Sequence, residues 1–317
     1  MNFDLRHFEK VLCPLGCPPG EEKMLVGRDR IRGLPGEFPV VRCCTCGLLR
    51  TSPRPRQEAM GDYYPNDYGP YDSTRVSPGR TSKHSWWKTL LKRIFEFNAQ
   101  RLPPLPLGNM LEIGCASGAF LSRQQELGWR VAGIEFSEVA AANARKAGFD
   151  VRTGALEDAS EPDEKFDLIV GWMVLEHLHD PVGSLKKLRN WTNRGGWLVL
   201  SLPDASPRWF SWFRDANYDL HLPNHLYHFT PQTLEKMVSL GGWHLDRVFH
   251  HRLLSSLLGS LGNKMEDSGL AGAPVRWLKT FPDRATHLHY LFYPLAIVLA
   301  ALGQTGRMTV WARRVDD

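Results

Sequence analysis

From Asn109 onwards, short apolar segments alternate with segments in which apolar residues recur at helical spacing. Short runs rich in Val, Ile and Leu are typical of buried strands, and the spacing between them is typical of amphipathic helices. The predicted strands are 110–115, 131–136, 151–154, 166–174, 195–203, 243–251 and 308–314, and the predicted helices are 118–129, 137–149, 180–191 and 230–242. Since alternating strands and helices are joined by crossover connections, the pattern predicts an α/β fold with a doubly wound, mostly parallel sheet.

The rest of the chain divides around this pattern. Residues 1–60 form a predicted cysteine-bearing module, and residues 61–108 a connector with an amphipathic helix over 83–98. The domain over 109–317 carries predicted insertions at 204–229 and 252–307. Insertions on such a sheet usually shape a substrate site.

Composition excludes several classes of protein. With 43% hydrophobic and 23% charged residues, the chain is neither mainly disordered, collagen-like nor a coiled coil. A net charge of +5 without a strong basic patch predicts no nucleic-acid partner. The apolar run over 288–302 is interrupted by Pro294 and falls short of the ~20 residues of a spanning helix. The charged N-terminus lacks the apolar core of a signal peptide, so we expect a cytoplasmic protein with reduced thiols.

A glycine turn follows the first predicted strand. The stretch LEIGCASGAF carries Gly114 and Gly118, which permit a tight turn and the close approach of a ligand. Glu112 lies within the strand, and Glu135 ends the next strand, where an acid is suited to bind the two hydroxyls of a ribose. A nicotinamide-dependent oxidoreductase would use the same acid, but it normally has G-x-G-x-x-G, and this turn reads G-C-A-S-G.

Five motifs in register carry a family resemblance: LEIGCASGAF, GIEFS, GALEDA, FDLIVGWMVLEHLHDP and GGWLVLSLPD. In order and spacing they resemble class I S-adenosylmethionine-dependent methyltransferases, which implies the seven-stranded Rossmann-like sheet of that family and S-adenosylmethionine as cofactor. The resemblance implies that Glu135 binds the ribose and that Trp172, Met173 and His177 lie at the boundary between cofactor and substrate. The other implied cofactor-binding residues are Glu112, Gly114, Cys115, Gly118, Phe136, Leu156 and Glu157.

Five of the six cysteines lie within the first 46 residues. The pairs Cys13–Cys17 and Cys43–Cys46 predict a structural zinc site, because two close pairs of thiolates suit a closed tetrahedral shell. Cys44 is a rival ligand to Cys43, and a cluster of buried reduced cysteines is the alternative. The module also resembles the zinc-ribbon start of a subgroup of bacterial methyltransferases. Three tyrosines after it could cover the active site or pack the module on the main domain: Tyr63, Tyr64 and Tyr68.

The histidines supply candidate bases. HLPNHLYHF precedes the helix that starts at Thr230, and it resembles a motif of zinc-containing sugar methyltransferases in which a His is a candidate base. We predict His225 as the base and His228 as the second candidate, the alternative being that one of them caps the helix or packs on Phe229. His177 is a third candidate. Its H-L-H spacing with His179 lacks an apparent third ligand, so no catalytic metal is predicted.

The sequence therefore predicts an enzyme that methylates a small-molecule acceptor, a sugar or a lipid-linked biosynthetic intermediate, with oxygen favoured as the acceptor atom. A nicotinamide-dependent oxidoreductase and a non-catalytic binding module are the alternatives. The segments 83–98, 253–261 and 288–302 are basic or apolar and could rest on a membrane surface or pack internally. The oligomeric state is not determined by the sequence.

Overall fold

The computed structural model describes residues 7–64, 95–283 and 288–315. Most of the predicted helix over 83–98, the linker before it and Tyr68 lie outside the described residues. The N-terminal part contains strands β1 (Phe8–Glu9), β2 (Glu21–Gly27), β3 (Phe38–Cys43), β4 (Leu49–Thr51) and β5 (Arg54–Pro55). Strands β2, β3 and β4 form an antiparallel sheet, β1 pairs with β5, and a 3₁₀ helix over Gln57–Tyr63 follows.

The predicted α/β fold is confirmed by a central sheet of seven strands. They are β6 (Asn109–Ile113), β7 (Arg130–Glu135), β8 (Asp150–Thr153), β9 (Phe166–Trp172), β10 (Thr192–Pro203), β12 (Trp243–His250) and β13 (Arg307–Arg314), while β11 (Tyr227–His228) lies elsewhere. The order across the sheet is β12-β13-β10-β9-β6-β7-β8. Only β13 runs against the others, since its pairings with β10 and β12 are antiparallel and the pairings among β6 to β10 are parallel.

Nine α-helices lie in the described part of the chain after Ile113. They are α1 (Ala119–Glu126), α2 (Glu138–Lys146), α3 (Pro181–Trp191), α4 (Arg208–Phe213), α5 (Pro231–Leu240), α6 (Ser255–Asp267), α7 (Ala273–Thr280), α8 (Leu288–Leu291) and α9 (Tyr293–Ala301). Local sequence fixes two of their starts. The Asp180 side chain accepts from the Gly183 amide, and Thr230 forms a capping box with Thr233, each just before a proline.

Helices cover both faces of the sheet. Along β9, Leu168 and Val170 pack on one face and Ile169 on the other, and all three are buried. This is why the parallel strands read as continuous apolar runs rather than as alternating ones. Phe120 of α1 and Ala141 of α2 belong to the core of the first face, whereas residues of α3 and α5 belong to the other: Leu185, Leu188, Trp191, Leu234, Met237 and Val238.

The insertion at 204–229 joins the N-terminal part to the central sheet. Its strand β11 pairs with β4, so the small sheet has the order β11-β4-β3-β2. The Thr51 hydroxyl donates to the His225 carbonyl at 2.8 Å, and Leu222 packs in the same apolar cluster as Phe38. The cysteine-bearing module is thereby held next to the segment that carries the predicted base.

The insertion at 252–307 forms α6 to α9. Pro294 lies in the first turn of α9, which separates this helix from α8. Leu295, Val298 and Leu302 are exposed. Within the described residues, no helix has both the length and the apolar character that a bilayer crossing requires. Contact with a membrane surface stays a prediction.

Candidate functional site

A cleft of about 330 Å³ opens at the carboxyl ends of the central strands, on both sides of β6. Ligands of doubly wound sheets bind at this edge. Eight of the predicted site residues line the cleft together: Gly114, Glu135, Phe136, Leu156, Glu157, Trp172, Met173 and His177. We refer to it below as the cofactor cleft.

Glu135 is the anchored acid of the cofactor cleft. Its carboxylate oxygens accept from the Ala116 amide and the Ser137 amide, both at 2.8 Å. Burial raises the pKa of Glu135, while the amide hydrogen bonds oppose that rise. Because each carboxylate oxygen accepts more than one hydrogen bond, both retain capacity for a pair of vicinal hydroxyls.

The glycine turn brings the backbone close to the cleft. Gly114 has φ +68°, and a Cβ there would lie 2.7 Å from a methyl group of Val174. Ala116 also has a positive φ, of 47°, which is uncommon for a residue with a side chain. Only a residue without a side chain fits at Gly114, and this explains the first glycine of the motif.

Three predicted cofactor residues do not line the cleft: Glu112, Cys115 and Gly118. Side chains alternate along β6, so Ile113 lines the cleft and Glu112 is buried on the opposite side, where burial raises its pKa to about 8. Cys115 is buried against Gly133, and a Cβ on Gly118 would lie 2.8 Å from Phe149. These three residues pack behind the turn.

The N-terminal part completes the cofactor cleft with Gln57, Met60 and Tyr64. The sequence left open whether the tyrosines cover the active site or pack the module on the main domain. Tyr64 lies in the wall of the cleft, with its hydroxyl 2.7 Å from Nδ1 of His177. Tyr63 instead packs edge-on against Phe38. Gln57 and Met60 carry no signal in the sequence that would have marked them as site residues.

A second cleft, of about 500 Å³, adjoins the first. Met173 and His177 line both clefts, so the two meet at the end of β9. Most residues that line the second cleft have polar or charged side chains: Arg28, Arg30, Asp215, Asn217, Tyr218, His221, His225, Asn263, Lys279 and Arg307. Ile31, Leu220 and Leu222 add apolar surface. Several of these groups are held by ion pairs, among them Arg30 with Asp215 at 3.2 Å. We call this the polar cleft.

His177 and His225 face each other where the clefts meet, with ring centroids 4.7 Å apart. Nδ1 of His225 lies 2.8 Å from the Asp219 carbonyl, and Nδ1 of His177 lies 3.0 Å from the Asn224 carbonyl. A carbonyl only accepts, so the Asp219 contact places the proton of His225 on Nδ1 and leaves the lone pair on Nε2. Nδ1 of His177 has two partners, because the Tyr64 hydroxyl lies 2.7 Å away and can either donate to it or accept from it. Burial lowers the pKa of His177 to about 4 and that of His225 well below its usual value, so both rings are neutral at pH 7.

Glu176 joins these two histidines. Its carboxyl group is fully buried, and neither oxygen has a hydrogen-bond partner among the described residues. One ligand atom from each of Glu176, His177 and His225 lies within 4.8 Å of the others. Burial raises the pKa of Glu176 to about 8. In the sequence His177 pairs by spacing with His179, and no third ligand is apparent. In the structure the groups beside His177 are Glu176, its chain neighbour, and His225, which comes from a distant segment.

His228 lies outside both clefts. It is buried on β11 opposite Leu49, and burial lowers its pKa to about 3. Its Nε2 has no hydrogen-bond partner among the described residues. This location does not support the predicted role of His228 as a second base.

His251 provides a test of histidine burial away from the clefts. Burial lowers its pKa to about 3, against ~6.5 in an unfolded chain. Between pH 6.5 and pH 3, only the unfolded state takes up a proton at this histidine. The stability that neutral His251 contributes is therefore fully present above pH 6.5 and is lost as the pH falls. We expect His251→Asn to reduce the slope of unfolding free energy against pH by ~1.4 kcal/mol per pH unit between pH 6 and pH 4. Denaturant unfolding at several pH values measures this slope. The exposed His244→Asn is the control, and an unchanged slope in His251→Asn would contradict the assignment.

The four predicted metal-binding cysteines converge. The sulfur atoms of Cys13, Cys17, Cys43 and Cys46 all lie within 4.8 Å of one another, and Cys44 is exposed. Gly16 and Gly47 have φ values of +71° and +80° and close the two turns. Burial alone would raise the pKa of Cys43, but the amides of Cys46 and Thr45 donate to its sulfur and lower the pKa to about 6. A tetrahedral ion with Zn–S bonds of ~2.3 Å needs sulfurs ~3.8 Å apart, so this donor set fits Zn²⁺.

Residues 84–248 match a family described as a methyltransferase domain. A ubiquinone biosynthesis O-methyltransferase of Cereibacter sphaeroides is 31% identical over 215 residues, covering 62% of this chain and 77% of that protein. A probable S-adenosylmethionine-dependent methyltransferase of Mycolicibacterium smegmatis is 28% identical, covering 59% of this chain and 72% of that protein.

Among solved structures, an S-adenosylmethionine-dependent methyltransferase from Mesorhizobium loti aligns with a TM-score of 0.45 and 18% identity, covering 67% of this chain and 94% of that one. The family match over residues 84–248 contains strands β6 to β10, the glycine turn and Glu135. The motifs in these segments resemble the same family. The chain belongs to the class I S-adenosylmethionine-dependent methyltransferases and is an enzyme of that family.

Proposed function

We propose that the enzyme transfers the methyl group of S-adenosylmethionine, bound in the cofactor cleft, to a hydroxyl oxygen of a small-molecule acceptor in the polar cleft. The observation that carries this proposal is that the two clefts meet at Met173 and His177. Methyl transfer is an in-line displacement, which requires donor and acceptor to approach from opposite sides. Two adjoining clefts with a shared wall meet that requirement.

In this proposal the chain binds and orients the cofactor through groups already fixed by the fold. Glu135 accepts hydrogen bonds from the ribose hydroxyls, and Leu156 and Glu157 lie beside the adenine. The Gly114 backbone adjoins the methionine part. When bound, the cofactor supplies an electrophilic methyl group on a sulfonium. Tyr64 and Met60 then limit the access of water to the cofactor cleft.

An oxygen acceptor is supported by relatives that are named ubiquinone biosynthesis O-methyltransferases. The polar cleft offers both donors and acceptors, for example Asn217, Asn263 and Arg307, and such a mixture suits the hydroxyls of a sugar. The exposed apolar side chains of α9 offer a surface for a lipid, which supports a lipid-linked acceptor as the alternative to a soluble sugar. We therefore propose a sugar or a lipid-linked biosynthetic intermediate as the acceptor.

The hydroxyl must lose its proton as it attacks, and His225 is the proposed proton acceptor. Its Nδ1 is committed to the Asp219 carbonyl, so Nε2 carries the lone pair. General-base catalysis is worth about 10²–10⁴-fold, and we expect His225→Gln to lower kcat ~100-fold with little change in the KM for the cofactor. Steady-state kinetics of His225→Gln and His228→Gln compare the two candidates. Loss of activity in His228→Gln alone would overturn the choice of His225.

We also propose that Cys13, Cys17, Cys43 and Cys46 hold a structural Zn²⁺. A closed shell of four thiolates leaves no position for a substrate, so this ion would stabilise the fold and take no part in the chemistry. The same module contributes Gln57, Met60 and Tyr64 to the cofactor cleft. Zinc binding and cofactor affinity are therefore expected to be coupled.

The acceptor class can be tested with a cofactor that carries a tritiated methyl group and an extract of the source cells. Label that moves into the organic phase supports a lipid-linked acceptor, and label in the aqueous phase supports a soluble sugar. Glu135→Ala serves as the control for cofactor-dependent transfer. No label above this control in either phase would contradict the proposed transfer to a small molecule.

A further inference from the structure

We propose that Glu176, His177 and His225 bind a divalent metal ion at the junction of the cofactor cleft and the polar cleft. One ligand atom from each residue lies within 4.8 Å of the other two, a spacing that small side-chain movements convert to coordination at ~2.1 Å. This site is separate from the four cysteines, which are soft thiolate ligands. The inference rests on the proposed function only for the role of the ion, and not for its binding.

The orientation of both histidines supports the site. Nδ1 of His225 faces the Asp219 carbonyl, and Nδ1 of His177 faces both the Asn224 carbonyl and the Tyr64 hydroxyl, each of which can accept its proton. Metal-binding histidines usually donate their second ring N–H to a carbonyl or a carboxylate, which fixes the tautomer and points the other nitrogen at the ion. Two such rings, 4.7 Å apart at one junction, form a matched pair of nitrogen ligands.

Glu176 supplies the strongest argument. A fully buried carboxyl group without a hydrogen-bond partner among the described residues is costly, and buried carboxylates are normally paired or bound to a metal. Arg307 pairs with Asp219 at 3.0 Å and makes no hydrogen bond to either Glu176 oxygen. A simple His base would use one lone pair on His225 and would leave Glu176 unexplained. A cation uses all three groups.

The ligand set indicates the class of ion. Two imidazoles and one carboxylate suit first-row divalent ions such as Mn²⁺, Fe²⁺, Co²⁺ or Zn²⁺. Three protein ligands leave open coordination positions, unlike the closed cysteine shell. His177 lines both clefts and His225 lines the polar cleft, so an open position would face the acceptor.

The ion would activate the acceptor hydroxyl. Its charge lowers the pKa of a bound hydroxyl, and the proton passes to water in the polar cleft. The oxygen then forms its bond to the methyl carbon as the bond from sulfur to carbon breaks, and S-adenosylhomocysteine is left. With the ion bound, His225 is a ligand, and without it His225 is a direct proton acceptor. The two roles of His225 therefore exclude each other, and the measured occupancy of the metal site decides which role applies.

The experiment measures Mn²⁺ binding directly. The full chain is stripped of metal and restored with one equivalent of Zn²⁺, which the thiolates take first. Titration with Mn²⁺, followed by electron paramagnetic resonance, is expected to show one tightly bound ion per chain. Glu176→Gln and His225→Gln should each weaken binding at least ~10-fold. The matched control is His228→Gln, a buried histidine outside the cluster.

Two readouts keep the test decisive. Pulsed resonance of the wild-type chain should show ¹⁴N couplings from imidazole, which requires no variant to fold. Absence of bound Mn²⁺, binding without ¹⁴N couplings, or equal binding by Glu176→Gln would overturn the site. Binding of S-adenosylhomocysteine, measured separately by calorimetry without added Mn²⁺, distinguishes failure of the metal site from failure of the proposed function.

Discussion

Replacing Cys43 by serine is expected to abolish stoichiometric zinc binding and to lower the free energy of unfolding by at least ~4 kcal/mol. Structural Zn²⁺ contributes ~10–16 kcal/mol of apparent binding energy in small domains, and one missing thiolate opens the shell. The small sheet is coupled to the rest of the molecule through β11, so the loss should reach the catalytic half. Zinc content by atomic absorption and unfolding in guanidinium measure both effects.

The neighbouring Cys44 offers a matched control. It is exposed, and its sulfur lies outside the cluster. Cys44→Ser should keep one Zn²⁺ per chain and wild-type stability. Because Gln57, Met60 and Tyr64 line the cofactor cleft, Cys43→Ser should also weaken binding of S-adenosylhomocysteine. Equal zinc content in Cys43→Ser and the wild type would disprove the proposed site.

Glu135→Ala is expected to weaken binding of S-adenosylhomocysteine about 1000-fold. Hydrogen bonds to a charged group contribute ~1.5–3 kcal/mol each, and two of them to the ribose give ~4 kcal/mol, or roughly three factors of ten. The substitution also removes the acceptors for the Ala116 and Ser137 amides, which loosens the turn. Isothermal calorimetry gives the dissociation constant.

Two further variants separate cofactor contacts from charge. Glu138 is three residues away, is exposed and pairs with Arg145, so Glu138→Ala should bind the ligand as the wild type does. Glu135→Gln retains one acceptor oxygen and should fall between the wild type and alanine. A dissociation constant for Glu135→Ala within threefold of the wild type, in a chain with native circular dichroism, would refute the assigned role of Glu135.

The residues near the glycine turn illustrate how far local sequence reaches. Gly114 and Glu135 were predicted because a strand, a turn and a helix form one continuous unit, and a ligand-facing acid follows at the end of the next strand. Glu112 was assigned to the same cleft, yet it faces the other side of β6. Side chains alternate between the two faces of every strand. Which of the two faces meets the cleft depends on how the helices pack on the sheet, and the motif alone does not show this.

The histidines illustrate the opposite case. His225 and His228 are three residues apart and look equivalent in the sequence, but β11 turns His228 into the interior beside Leu49. His225 meets His177 and Glu176 only because the insertion at 204–229 crosses the carboxyl edge of the sheet. Contacts between residues 49 positions apart follow from packing, which leaves no periodic signal in the chain.

The sequence by itself determined the doubly wound sheet and the family, and it predicted that Glu135 lies at the cleft and that the four cysteines come together. Each of these depends on short spacings along the chain: the periodicity of apolar residues in strands and helices, the number of residues in a turn, and the separation of two cysteines in a pair. Only the tertiary structure decided that the N-terminal part supplies Tyr64 to the cofactor cleft, that a polar cleft adjoins it, and that Glu176 is buried between two neutral histidines. Those features arise where insertions and modules pack against the sheet, and the complementarity of such surfaces is spread over many distant residues.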